Sequence, residues 1–439
     1  MRIKPDSIIF EGCFTTSPMN GQGTMPWVYT SSKEEYLACR ETAWLGINLN
    51  LSPVFDIKGP DAAKFLDYYC VNKGFANMKV GQSKHALMCN EKGHMLADGV
   101  VMKKEEGYRT YWMAPCMQFF MEKSGMDVQG EYISDEYFYQ IDGPKSLEIL
   151  EEACECDLHD IKFARNKTVK ICGTDITVHR LGMSGALAYE VHGKEEDAEV
   201  AYKRILEVLR KYGGKQQGAY NYGIVNHTPA GYPNQNMHFN YALHTSGQEL
   251  HEFTLKYGMN FPLIGSASAD PDFCEVTPYD IGWGYLVNFD HEFVGKEALM
   301  RAKEEKRRVP VTLEWNTDDV ADVFASQFRG KDVEPYDKLD CVSAQNDLET
   351  FGIRCDYVLI DGKIIGYAAG RTYAYYERRM ISLAFIDPAC AQEGKELLIN
   401  WSHPGGPVKM IRATVAQFPY YNGEFRNETF DTDKIPRRY

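Results

Sequence analysis

The chain has 439 residues, 44% of them hydrophobic and 25% charged. Those fractions belong to an ordinary globular protein, exclude a disordered or fibrous class and, at this length, point to two or three domains rather than one core. With 62 acids against 48 Lys and Arg the net charge is −14, which argues against nucleic acid and anionic membranes as partners.

The N-terminal Met1-Arg2-Ile3-Lys4-Pro5-Asp6 is followed by no long apolar stretch, and nowhere do eighteen apolar residues run together. Neither a signal peptide nor a membrane span is expected. A polar lead punctuated by Gly and Pro, Cys13 to Ser32, precedes a helical pattern over Glu34 to Leu45. Val54 to Leu66 then reads as strand, Gly59-Pro60 turn and helix, with Asp61 near the first helical turn. Alternating segments Ser83 to Cys89, Met95 to Lys103 and Tyr108 to Met113 predict antiparallel strands, with Asn90-Glu91-Lys92-Gly93 as a hairpin turn. At Phe138 to Leu150 the strand, Gly-Pro turn and helix recur around Gly143-Pro144, which suggests two pseudo-symmetric α+β modules.

Glu195 to Tyr212 carries apolar positions at helical spacing and is stopped by Gly213-Gly214. The stretch Ala219 to Ser268, rich in Asn, Gly, Pro, Tyr and His, reads as a loop long enough to line or cover a site. The one dense basic cluster, Lys303 to Arg308, includes Glu304 and Glu305 and reads as a solvated helix end. Short strands follow at Val311 to Glu314, Tyr357 to Ile360, Lys363 to Tyr367, Ile381 to Ile386, Glu396 to Trp401 and Val408 to Val415, predicting an appended β-barrel or sandwich.

Twelve cysteines without CxxC spacing, the nearest pair being Cys154 and Cys156, read as free thiols in a reducing compartment, so a cytoplasmic location is expected. His227, His238, His244 and His251 lie in one stretch but lack zincin spacing or a thiolate pair, and no metal is expected. The chemistry is placed instead on two acids among small and apolar strand residues: Asp98 within Asn90 to Val101, and Glu190 within Gly182 to Val191. Burying a carboxylate without a partner is expensive, so such an acid is paired or kept for a purpose.

The landmarks "IKGPDA" from Ile57, Asn90 to Val101, "GMSGALAYEVHG" from Gly182 and "TPYDIGWGYLVNFDHEFVGKEAL" from Thr277 to Leu299 resemble the folate-binding aminomethyltransferase superfamily of the glycine cleavage T-protein, over nearly the whole chain. Within it, Val311 to Asp319 and Gly370 to Arg379, ahead of Ser382-Leu383-Ala384, are most similar to tetrahydrofolate-dependent aryl O-demethylases acting on vanillate and syringate. The Arg-containing folate motif of the glycine-cleavage enzyme finds no good match after Gly214.

The resemblance implies an α+β cloverleaf of three modules around a central folate cavity. Residues 1–53 and 138–270 form one module, 54–137 the second, 271–309 a connector and 310–439 a C-terminal barrel. It implies tetrahydrofolate as co-substrate, with Glu190 bonding the pterin, Asp98 near the nitrogen that receives the one-carbon unit, and Tyr189 and Trp283 as further folate contacts. A carboxylate suits an aminopyrimidine edge because it accepts two parallel N–H bonds.

Methyl transfer from an aryl ether must release a phenolate, so a proton or hydrogen bond at the ether oxygen lowers the barrier. Aligning Ala230-Gly231-Tyr232 with the demethylases' small-Gly-aromatic step places that role on Tyr241, with His244 second. Leu51 and Met113 stand where demethylases of aromatic acids carry a His and an Arg. A neutral methoxyarene is therefore favoured over a benzoate, with 5-methyltetrahydrofolate and a phenol as products. A methylated amine or sulfonium donor stays open, since Trp112, Tyr220, Tyr222 and Tyr241 offer an aromatic cage, with Tyr220 and Tyr222 also assigned to the substrate pocket, and so does an aminomethyltransferase-like activity. A non-catalytic folate-binding protein also stays open, and the oligomeric state is not legible.

Overall fold

The computed structural model describes residues 7–19, 23–47, 54–235, 237–257, 262–339 and 352–439. The strand-turn-helix grammar is realised twice, as strand Val54–Lys58 with helix Ala62–Tyr69 and as strand Glu136–Asp142 with helix Ser146–Cys154. Both Gly-Pro turns put glycine where a side chain is strained, at φ +115° for Gly59 and +130° for Gly143. Asp61 does not cap its own helix; its Oδ2 accepts the N–H of Asp127 at 2.9 Å.

Four sheets result among the described residues, the smallest a two-stranded ribbon of Thr15–Met19 with Gly23–Val28. A five-stranded antiparallel sheet runs in the order Ser83–Cys89, Met95–Lys103, Tyr108–Tyr111, Val54–Lys58, Gln129–Ile133. A six-stranded sheet runs Asn166–Ile171, Thr174–His179, Ala188–Lys194, Glu136–Asp142, Trp44–Ile47, Lys215–Gln217, only the last pair being parallel. In the C-terminal part Ile353–Ile360, Lys363–Ala374, Arg379–Ile386, Val309–Trp315, Lys409–Ala416 and Glu396–Trp401 pair in that order, and the last pairs back to the first. That closure removes the sheet's edges and makes a barrel. The fold class is therefore α+β with a barrel appended, as expected.

The helix expected over Glu34 to Leu45 ends at Glu41, and Trp44–Ile47 is a strand. Its four residues are all buried between Glu136–Asp142 and Lys215–Gln217, so sheet pairing overrides the helical spacing. The stretch from Ala219 to Ser268 is more ordered than the loop expected: Asn221–Val225 forms a π turn, His227–Ala230 a short helix and Gln248–Leu255 a longer one. Burial of Val225, Ala230 and Leu250 drives these turns, which composition alone reads as polar loop. Helix Thr317–Ser326, announced by Asn316 capping the N–H groups of Asp318 and Asp319, was not expected from the strand pattern.

One core lies between the five-stranded sheet, the 239–299 segment and the barrel, joining Leu87, Ala97, Phe239, Trp283, Cys355 and Phe385. A second fills the six-stranded module, and a smaller one, with Val100, Tyr111 and Phe138, bridges the two sheets. Arg109 sews that seam: it forks onto Asp56 at 2.7 and 2.9 Å within its own sheet and donates to Glu136 of the other. Beyond Ala416 the chain leaves the barrel and returns to the six-stranded module, where Arg180 donates to the Asn427 and Phe430 carbonyls. Among the described residues no helix is long and apolar enough to cross a membrane, and every cysteine is unpaired.

Candidate active site

Asp98 sits on strand Met95–Lys103, with Gly99 behind it. A Cβ at Gly99 would lie 2.0 Å from the Tyr111 carbonyl, so the close approach of the two strands there depends on glycine. Three contacts from two side chains hold Asp98: the Tyr241 hydroxyl donates to Oδ1 at 2.6 Å, His85 Nε2 lies 3.0 Å from Oδ2, and the Asp98 N–H donates to the Tyr241 oxygen at 2.8 Å. The Asp98 side chain keeps 15% of its surface and that of His85 16%, so the pair faces accessible space. Trp283 meets His85 edge-on at 4.6 Å, and Tyr232 packs beside both, 5.5 Å from Trp283 and 5.9 Å from His85.

Tyr232 comes from the turn that ends helix His227–Ala230. Its backbone oxygen accepts from His227 Nδ1 at 3.3 Å; Asn234 Nδ2 donates to His227 Nε2 at 2.9 Å, which fixes that tautomer. Burial pushes the His227 ring down to about 4, keeping it neutral. Among the described residues the Tyr232 hydroxyl makes no hydrogen bond, while burial and the charges of Asp98 and, further down in weight, Glu190 push its pKa well up. The Tyr232 phenol is therefore kept protonated.

Glu190, 2% exposed, lies on strand Ala188–Lys194. His179, its partner across the sheet in register, and His192, two residues along on the same face, both reach Oε2, at 2.8 and 3.2 Å. Burial alone would raise its pKa, but these imidazoles overcome that and hold it below the ordinary glutamate value. Glu190 Oε1 accepts no hydrogen bond among the described residues. His192 Nδ1 continues to Glu136 Oε1 at 3.2 Å, and Arg109 closes the chain. Although burial opposes charging it, the two glutamates push His192 up to about 8, and Glu136 is drawn down to about 2 against its own burial. Glu190, His192, Glu136, Arg109 and Asp56 thus form one buried array of alternating charge.

The residues proposed from sequence separate. Asp98, Tyr241 and Trp283 stand together around His85, while Glu190 lies on a strand of the six-stranded sheet. Tyr189 alternates to the other face of its strand and is buried in the six-stranded core. His244 faces Asp272 and Glu275 instead, with no contact to Asp98 among the described residues. Met113 is fully buried against Gly99, at the start of helix Ala114–Ser124. Tyr220 packs with Tyr36 and Met237, and Tyr222 donates to Gln140 Oε1 at 3.1 Å. Leu51 lies outside the described residues. Trp112 adopts φ +67°, an unusual backbone for a bulky residue, and packs on Tyr111 and Phe138 at the seam. Sequence reasoning missed His85, His179, His192 and the free phenol of Tyr232; for His192 the alternation of a strand that already carried Glu190 was the available signal.

The GCVT N-terminal domain family matches residues 18–225. Sesamin methylene transferase of Sinomonas sp. is 44% identical, with 98% of this chain and 97% of that protein covered. Syringate O-demethylase of Sphingobium sp. is 26% identical, with 92% of each covered, and an aminomethyltransferase of Thermotoga petrophila is 26% identical over 92% of this chain and 93% of its own. The glycine cleavage system aminomethyltransferase T from Bartonella henselae shares the fold at a TM-score of 0.66 and 16% identity, with 94% of this chain and 95% of that chain covered. The chain therefore belongs to the GCVT family of folate-binding transferases, whose co-substrate is tetrahydrofolate.

Proposed function

We propose that the chain moves a one-carbon unit from a neutral aromatic donor, in which that carbon is bound to aryl oxygen, to tetrahydrofolate, releasing a phenol. The carbon is either the methyl of a methoxyarene or a methylene bridging two ring oxygens; the 44% identity to a methylene transferase favours the second. The observation that carries the reading is Asp98, held by Tyr241 and His85 and facing accessible space, with the Tyr232 ring 5.9 Å from that of His85 and its hydroxyl making no hydrogen bond among the described residues.

The donor set suits folate. Glu190 Oε1 accepts no hydrogen bond among the described residues and lies beside two imidazoles that secure its charge, which fits an aminopyrimidine edge offering N–H donors. Trp283, Tyr232 and His85 supply flat apolar faces for a fused ring. When bound, tetrahydrofolate supplies the nitrogen nucleophile: one nitrogen takes a methyl as its single C–O bond breaks to leave a phenol, whereas a bridging methylene would need two nitrogens and the breaking of both C–O bonds, leaving a catechol.

Asp98, as a carboxylate, takes the proton that this nitrogen sheds and stabilises positive charge developing there. The Tyr232 hydroxyl donates to the departing aryl oxygen, and its raised pKa keeps the proton in place until charge builds on that oxygen. Tyr241 and His85 orient Asp98 and touch neither reactant in this scheme.

The test is anaerobic turnover with tetrahydrofolate and paired donors, a methylenedioxyarene and the matching methoxyarene, each with and without a carboxylate. Phenol release from a neutral donor, reduced about 10²- to 10⁴-fold in Asp98→Asn, is expected. Tight folate binding with no phenol from any donor would leave the non-catalytic reading, and turnover of methylated amines alone would move the donor class.

A further inference from the structure

Three clusters of histidine and carboxylate have ligand atoms gathered within 4.8 Å: His179 with Glu190 and His192, His159 with Glu151 and Asp157, and His244 with Asp272 and Glu275. In the first two every imidazole nitrogen is committed. His179 is bonded to Ser83 and Glu190, His192 to Glu136 and Glu190, and His159 to Glu151, Asp157 and the Ile435 carbonyl. A ring with both nitrogens bound to oxygen acceptors or hydroxyls has no lone pair to offer an ion.

The third cluster is different. Nε2 of His244 is 3.6 Å from Asp272 Oδ1 and 3.8 Å from Glu275 Oε1, beyond hydrogen-bonding range, and His244 makes no hydrogen bond among the described residues. Those separations are what two ligands of one ion show when each bond is about 2.0–2.2 Å long.

Glu275 is oriented in advance. Its Oε2 accepts from His94 Nδ1 at 2.8 Å and its Oε1 from Thr245 at 2.6 Å, the kind of outer hydrogen bonding that fixes a ligating carboxylate. Glu275 is 2% exposed, whereas the His244 and Asp272 side chains keep 30% and 72% of their surface, so an ion has a way in from solvent.

We propose that His244, Asp272 and Glu275 bind a divalent first-row metal ion, zinc fitting best, with solvent completing the sphere. One imidazole and two carboxylates match zinc's borderline character, and an all-oxygen cage for calcium or magnesium is absent here. The ion fastens the loop after Tyr241 to the Pro271–Cys274 turn. That loop is already tied to the hairpin of Asp98 by the Ala242 N–H on the Met95 carbonyl, 2.9 Å, and by Asn90 on Ser246, 2.8 Å. The metal therefore braces the strand and loop that present Asp98 and Tyr241 and takes no part in the transfer itself.

Tag-free full-length protein, stripped with chelator and dialysed against zinc chloride, is assayed for bound metal, and cobalt chloride is used in parallel as a spectroscopic probe. One zinc per chain, cobalt d–d bands, and a melting temperature raised by zinc are expected. His244→Ala and Asp272→Asn, both at accessible positions, should each weaken zinc binding at least tenfold and lose the thermal response while still melting cooperatively. Zinc content equal in wild type and both variants, or wild type that retains none, overturns the site.

Discussion

Tyr241 and Asp98 exchange two hydrogen bonds across 143 positions of sequence: the phenol donates to the carboxylate at 2.6 Å and accepts the backbone N–H of the same residue at 2.8 Å. One side chain thereby fixes both the strand and the acid it carries. Burial and the neighbouring Asp98 charge push the Tyr241 pKa well up, so it remains a donor throughout the working range.

Removing that hydroxyl leaves the Asp98 N–H unpaired and one carboxylate oxygen free to rotate. Tyr241→Phe should lower kcat by about 10²-fold with little change in tetrahydrofolate affinity, and cost about 1–3 kcal/mol of stability. Steady-state kinetics and titration with the reduced folate separate the two effects. A loss of affinity equal to the loss of kcat would mean that Tyr241 meets the folate itself.

Glu190→Gln keeps the shape but removes the charge that His179 and His192 share. Tetrahydrofolate should bind about 10- to 100-fold more weakly, measured by calorimetry, because charge-assisted bonds become neutral ones. Unchanged affinity would place the pterin elsewhere.

His192 gives a signed pH dependence. Its ordinary value is 6.5 and the two glutamates raise it to about 8 in the fold. The stabilisation is therefore complete below about 6.5 and lost as the pH rises through about 8, amounting to roughly 2 kcal/mol. Denaturant melts at pH 6 and pH 9 should show wild type losing more stability than His192→Asn; parallel pH profiles would remove the buried imidazolium from the account.

Arg109 neutralises Asp56 and Glu136 at the seam between sheets. Arg109→Ala leaves Asp56 without its partner and Glu136 with only His192 and Tyr111, and should cost about 3–5 kcal/mol. Lys170→Ala, which breaks the exposed pair with Asp175, should change stability by less than about 1 kcal/mol. Similar melting curves for the two variants would show that the seam is held by apolar packing alone.

Local sequence grammar reached a good part of this architecture. The two strand, Gly-Pro turn and helix units, the hairpin before Asp98 and the strand Glu396–Trp401 follow from period-two alternation, turn chemistry and helix stops, which act over a few residues. The same reasoning extended a helix through Leu45, because nothing local reveals that Trp44–Ile47 pairs with strands from residues 136–142 and 215–217.

The site divides along the same line. Asp98 and Glu190 stand out in sequence because an acid among small and apolar strand residues needs a partner or a task. Which partner each acquired was decided in three dimensions: His85 across a hairpin and Tyr241 from a distant loop for Asp98, His179 from a neighbouring strand for Glu190. His244, close to Tyr241 in sequence, was instead carried to Asp272 and Glu275. Periodicity reports which face of an element a residue occupies; which residues meet there depends on how the sheets and their connecting loops pack, and that is set by burial and by hydrogen-bond partners remote along the chain.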